Sequence, residues 1–125
     1  MLNIGLAVDY LLRNAPGLEA LGGRIFPVMI TSDEEVPFPN LVYGRTSITP
    51  ALTKGGGKDA VTVTIDIWGT SYAEVIGLAM ATREALEHKN GTFAGVRLQD
   101  SYLTSASELA DPPGFFGQSL VFEFR

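Results

Sequence analysis

Residues 60–69 alternate strictly between apolar and other side chains, which is the pattern of a β-strand with one buried face. The first face carries Val61, Val63, Ile65 and Ile67, and the second carries Thr62, Thr64, Asp66 and Trp68. β-branched residues on both faces disfavour a helix, because they would lose side-chain freedom against the preceding turn. The pattern therefore predicts a strand whose aliphatic face belongs to the core.

An amphipathic helix is predicted directly after this strand. Gly69 ends the strand, and Ser71 with Glu74 three positions later has the spacing of a capping box. The helix is expected to begin at about Tyr72 and to stop at Asn90-Gly91. Its predicted core stripe consists of Tyr72, Val75, Ile76, Ala79, Thr82 and Leu86.

The first half of the chain predicts one helix and two further strands. Residues 2–14 favour a helix that Pro16 stops, although the alternation at their start also suits a strand. Residues 24–30 are β-prone but interrupted by Pro27, as expected of an edge strand or of a strand with an irregular middle. Residues 40–49 predict a strand, and the glycine-rich residues 50–59 predict the tip of a long hairpin.

The segment after the second helix predicts two more strands. Val96 and Leu98 lie in one alternating phase and Leu103 in the other, which a bulge near Asp100 would reconcile. Residues 111–114 predict a turn, and residues 117–125 predict a final strand. The order α-β-β-β-α-β-β predicts a single α+β domain over residues 1–125, with a mostly antiparallel sheet and both helices on one face.

Composition narrows the classes of function. The chain has 125 residues, a net charge of −5 and no cysteine, which excludes disulfides and thiolate nucleophiles. Nine scattered Lys and Arg residues argue against nucleic-acid affinity, which depends on clustered basic side chains. The apolar runs are far shorter than the roughly 20 residues that span a bilayer. We expect a protein made in the cytoplasm without membrane contact.

Motifs for catalysis or cofactor binding are missing from the sequence. Gly55-Gly56-Gly57-Lys58 differs from a phosphate-binding loop, since Leu52 and Asp59 break the pattern and a strand follows. His88 is the only histidine and stands at a predicted helix end, where solvation explains it. We therefore expect no enzymatic activity, no metal and no cofactor.

Two features suggest binding to other proteins. The hairpin tip Lys54, Gly55, Gly56, Gly57 and Lys58 is a surface element that could order on contact with a partner. Asp66 and Trp68 lie on the strand face opposite the aliphatic one, which is left to a partner subunit if both helices cover the other face. Packing against another part of the same chain is the alternative for these two residues.

Four segments resemble one family along nearly the whole chain. They read LGGRIFP at residues 21–27, VPFPNLVYGR at 36–45, TIDIWGTSYAEVIGLAMATREALE at 64–87 and SLVFEFR at 119–125. Together they are similar to the tail-completion family of long-tailed bacteriophages, which is related in fold to tail terminators. The third segment is the most specific, and the hairpin tip matches only as a variable loop.

The resemblance implies a structural virion protein without a catalytic motif. It implies a self-associating ring, with hexameric symmetry, at the head-proximal end of the tail tube. The partners would be the tail-tube protein and the head connector, with DNA passing through the channel without specific binding. A head-side neck or connector-completion subunit is one alternative, and a cellular small-molecule-binding α+β domain is another.

Overall fold

The computed structural model describes residues 1–28, 37–50, 59–111 and 114–125. Its elements follow one another as α1 (Ile4–Arg13), a 3₁₀ turn (Glu19–Leu21), β1 (Ile25–Pro27), β2 (Asn40–Thr49), β3 (Ala60–Gly69), α2 (Tyr72–Leu86), β4 (Gly91–Phe93), β5 (Val96–Leu98), β6 (Ser101–Asp111) and β7 (Phe115–Phe124). The predicted α+β class and the predicted order of helices and long strands are confirmed.

Five strands form the main sheet in the order β1-β2-β3-β7-β6. All neighbours in this sheet are antiparallel except β1 and β2, which run parallel. The hairpin of β4 and β5 forms a second, two-stranded sheet. The last strand in sequence, β7, therefore lies between β3 and β6.

The hydrophobic core lies between one face of the main sheet and both helices. Val61, Val63, Ile65 and Ile67 are at most 1% exposed, as their alternation predicts. In β7 the alternate residues Leu120, Phe122 and Phe124 face the same core, to which α1 and α2 add their buried sides. Each Å² of apolar surface buried between this face and the helices contributes about 25 cal/mol, and this free energy holds the helices on the sheet.

The second helix begins where the capping residues predict and ends earlier than expected. The N–H of Glu74 donates to Ser71 Oγ at 3.3 Å, which satisfies one of the helix's free amide groups. The predicted stop at Asn90-Gly91 is wrong, because Glu87 leaves the helical conformation and His88 takes a positive φ of 58°. Leu86 is therefore the last helical residue.

The buried stripe of α2 differs in part from the predicted one. Val75, Ala79, Thr82 and Leu86 are buried as expected. Leu78 is buried too, whereas Tyr72 is 46% exposed and Ile76 is half-buried. The buried stripe thus includes Leu78 in place of Tyr72 and Ile76, and Tyr72 packs edge-on against Phe116.

The predicted bulge near Asp100 is wrong. Residues 96–98 and 101–111 belong to two separate strands in two different sheets, and Asp100 lies in the connection between them. The change of phase between Leu98 and Leu103 comes from this break. A register shift does occur farther along, between Leu103 and Ser105 of β6.

Three of the remaining predictions concern the first half of the chain. The helical reading of its beginning is confirmed by α1, and the predicted edge strand is β1, in which Pro27 is the last residue. Strand β2 covers the predicted residues 40–49. Within the described part of the chain, no helix is long and apolar enough to cross a membrane.

Candidate assembly surface

One face of the main sheet is left uncovered by the described elements. The residues of β3 that alternate with the core positions are all half-buried, namely Thr62, Thr64, Asp66 and Trp68. Both helices pack on the opposite face, and no described element lies over this one. We call this surface the open face. It also includes the residues of β2 and β7 that pair with these four positions.

Trp68 lies near one end of the open face, where its ring packs against the backbone of β7. Its register partners are Asn40 on β2 and Gly117 on β7. A Cβ atom at Gly117 would stand 3.0 Å from indole carbons of Trp68, so the ring rests on the glycine backbone. Phe115 lies two residues before Gly117, and its ring centroid is 5.0 Å from that of Phe38. Three partly exposed aromatic side chains, Trp68, Phe115 and Phe38, thus lie at this end of the sheet.

Asp66 carries an unpaired oxygen in the middle of the open face. Its Oδ1 is shielded from solvent and has no hydrogen-bond partner among the described residues. The neighbouring positions in register are Val42 and Ser119. A buried acceptor without a partner costs about 1–3 kcal/mol, and a donor brought by another molecule would remove that cost. Asp66 and Trp68 therefore share one face, as the alternation predicts.

The other predicted binding element, the hairpin tip Lys54, Gly55, Gly56, Gly57 and Lys58, lies outside the described residues. Its flanks are described, and Thr49 pairs with Ala60 at the ends of β2 and β3. The two strands are therefore joined as an antiparallel hairpin, as predicted.

A second surface was missed by the sequence analysis. Leu2, Leu6 and Tyr10 are 76%, 60% and 48% exposed, and they repeat at four-residue steps from just before α1 into the helix. They border a groove of about 940 Å³ between α1 and β2, next to Val28, which is 75% exposed. We call it the α1 groove. The four-residue spacing of these apolar side chains was the signal that could have revealed it.

A hydrogen-bonded network fixes the floor of the α1 groove. Tyr43 Oη donates to Asp9 Oδ2 at 2.7 Å, and Arg13 Nε donates to Asp9 Oδ1 at 2.7 Å. Arg13 also donates to the carbonyl of Ile25 at 2.9 Å. Burial and the hydrogen bond to Asp9 raise the pKa of Tyr43 above its usual range, so the phenol remains a donor. The network ties α1 to both β1 and β2.

The polar groups at the end of α2 contact one another and the start of β6. His88 is 73% exposed and lies 3.7 Å from carboxylates of Glu87 and Asp100. Glu87 Oε2 accepts from the N–H of Leu103 at 3.1 Å, and its carboxylate also binds Arg83. Burial opposes ionisation of Glu87, but these hydrogen bonds outweigh it and lower its pKa. In the described ranges, no group of three or more potential ligands is placed to hold a metal ion.

Comparison with known proteins identifies the family. A curated relative from Bacillus phage SPP1, Tail completion protein gp17, is 26% identical over 109 residues, which cover 86% of this chain and 81% of the relative. A chain from the virion of the native gene transfer agent (GTA) particle has the same fold, with a TM-score of 0.77 and 21% identity over 95% of this chain and 90% of its own. Since the model of the family Tail completion protein gp17 matches residues 7–125, this chain belongs to the phage tail-completion family.

Proposed function

We propose that this protein is a structural virion component that completes a phage tail. Copies of it form a ring, with hexameric symmetry, at the head-proximal end of the tail tube, where the ring binds the head connector. The observation that carries the proposal is family membership over residues 7–125. The gene transfer agent chain of the same fold comes from a virion, which supports a virion component in general.

The open face supports a role in binding other proteins. Partly exposed aromatic side chains are enriched at protein interfaces, and Trp68 and Phe38 are of this kind. We propose that the open face contacts a neighbouring virion subunit whose hydrogen-bond donor reaches Asp66 Oδ1. This role requires complementary surfaces and no bond-making chemistry, so the protein acts without catalysis or a cofactor.

The charge of the chain suits a component through which DNA passes. With a net charge of −5, the ring repels phosphates, so DNA slides through the channel without specific binding. The hairpin tip with Lys54 and Lys58 is the proposed contact with the tail tube or an adjacent copy. Removing residues 54–58 is expected to leave a folded protein that fails to join tails to heads.

The position of this protein in the particle is tested with a phage that lacks its gene. Complementation with a tagged copy, followed by immunolabelling of purified headless tails, should place the label at one end of the tail. Without the protein, tails and filled heads should accumulate unjoined. Label found only on tailless heads would replace the proposal by a head-side neck subunit, and joined particles without the protein would refute both.

The interface role of Asp66 is tested by Asp66→Asn, which preserves shape and removes the charge. We expect the purified variant to keep its urea midpoint and to lower the yield of joined particles about tenfold, which corresponds to about 1.4 kcal/mol of binding. Met80→Ala is a matched control, since Met80 is 68% exposed on α2 and lies outside the open face. Equal yields from both variants would argue against a contact at Asp66.

A further inference from the structure

The two edges of the main sheet are both incompletely paired. Strand β6 forms one edge and is paired only with β7. The start of β6 is covered by the end of α2, because His88 N–H donates to the Ser101 carbonyl and Leu103 N–H donates to Glu87. Residues 104–110 are exposed, and no described residue hydrogen-bonds to their outer backbone edge. An exposed strand edge of this length is a template for pairing with another strand.

The opposite edge is formed by β1 and the second half of β2. Strand β1 pairs only with residues 41–43 of β2, and Val28 N–H adds one bond to the Tyr43 carbonyl at 2.7 Å. On that side, residues 44–49 have no strand partner within the described ranges. The α1 groove, with its exposed Leu2, Leu6 and Tyr10, runs beside Gly44 and Arg45. A strand bound there would gain backbone hydrogen bonds and apolar contact together.

The two edges complement each other in length and charge. The exposed edge of β6 has seven residues and that of β2 has six. Neither edge has an outer partner among the described residues. The exposed stretch of β6 contains Glu108 and no basic residue, whereas the β2 edge carries the exposed Arg45. The edges formed by β2 and β6 lie about three strand spacings apart, or roughly 14 Å, on opposite sides of one sheet. Unlike patches on opposite sides of one subunit produce head-to-tail association.

We infer that β6 of one copy adds to residues 44–49 of β2 in the next copy, beside the α1 groove. The occupant of this edge is thus a second copy of the same chain. Successive additions build a sheet that continues from copy to copy, and its closure gives a ring. The inference rests on the proposed function only for the location of the ring at the end of the tail. The contact itself is made between identical chains.

The alternation of side chains predicts which pairs of positions meet across this contact. Ser47 pairs with Thr62, and Ser107 pairs with Ser119, so both stand on the open face. Ala106, the neighbour of Ser107, stands on the helix-covered face. In a continuous sheet the faces are preserved, because successive side chains of a strand point to opposite sides. Only residues of the same face can then be joined by a disulfide.

The test uses engineered cysteines, which the cysteine-free chain permits. Double variants combine Ser47→Cys or Thr49→Cys on β2 with Ser105→Cys or Ser107→Cys on β6, so that several registers are sampled. After mild oxidation, at least one pair should give a ladder of dimers and higher species that reducing agent abolishes. Each single variant alone should stay monomeric on denaturing gels, since the two edges of one contact differ. Mixing the two single variants should give dimers only.

The matched control moves one cysteine to the other face. Ser47→Cys with Ala106→Cys keeps the same strands and should give no ladder. The samples are purified joined particles and concentrated purified protein, each checked for an unchanged urea midpoint. Particles that contain the variants but yield no ladder from any of the same-face pairs would overturn the inference and leave the proposed function intact. If the protein is absent from particles, the proposed function fails, and the ladder in purified protein alone decides the inference.

Discussion

Replacement of Gly69 by alanine tests how closely the sheet and α2 are packed. A Cβ atom at this position, the last of β3, would stand 2.7 Å from Val75 Cγ2. Val75 is fully buried, and a valine in a helix has one strongly preferred rotamer, so its methyl group has no free space to enter. The variant must therefore shift α2 away from the end of β3.

The expected cost follows from two opposing terms. Overpacking of a well-filled core costs about 1–3 kcal/mol. Restricting the unfolded chain by a Gly-to-Ala change returns about 0.4–1 kcal/mol. We expect a net loss of about 1–2 kcal/mol, which lowers the urea midpoint by about 1 M when m is about 1.5 kcal/mol/M. Circular dichroism and tryptophan fluorescence should report the same midpoint.

A double-mutant cycle assigns the loss to the named contact. Val75→Ala removes the methyl group that clashes, so Gly69→Ala in that background should be neutral or slightly stabilising. Gly77→Ala is the control within α2, because no atom lies within 4 Å of its added Cβ, and it should stabilise by about 1 kcal/mol. An equal cost of Gly69→Ala in both backgrounds, or no cost in either, would refute the packing argument.

Three other predictions concern Tyr43, Glu87 and Gly117. Tyr43→Phe removes the hydrogen bond to Asp9 and should lower the free energy of unfolding by about 1 kcal/mol, measured by urea titration at pH 7. Glu87 has a lowered pKa in the folded state, so its stabilisation is present above the ordinary value of 4.5 and is lost as the pH falls further. Glu87→Gln should therefore be less stable than the parent at pH 7, with a difference that narrows toward pH 3; a constant difference would contradict this. Gly117→Ala should displace the indole of Trp68 and change its fluorescence maximum. An unchanged spectrum would contradict the close contact between the indole and Gly117.

The sequence by itself determined the elements whose signals are local. The alternation of residues 60–69 correctly assigned the buried face of β3 and placed Asp66 and Trp68 together on the other face. The cap at Ser71 fixed the start of α2 because capping involves residues within one turn. These predictions succeeded because the deciding contacts lie within a few positions along the chain.

Only the tertiary structure decided how the strands are arranged. Pairing of β7 between β3 and β6, and of β1 parallel to β2, joins segments that are distant in sequence. The same arrangement seats Trp68 on Gly117 and leaves Asp66 Oδ1 without a described partner. It also places β2 residues 44–49 and β6, which have no outer strand partner among the described residues, on opposite sides of the sheet. Which edge remains open depends on the order of strands, and this order is set by the competition of all strands for partners and not by the residues of any one strand.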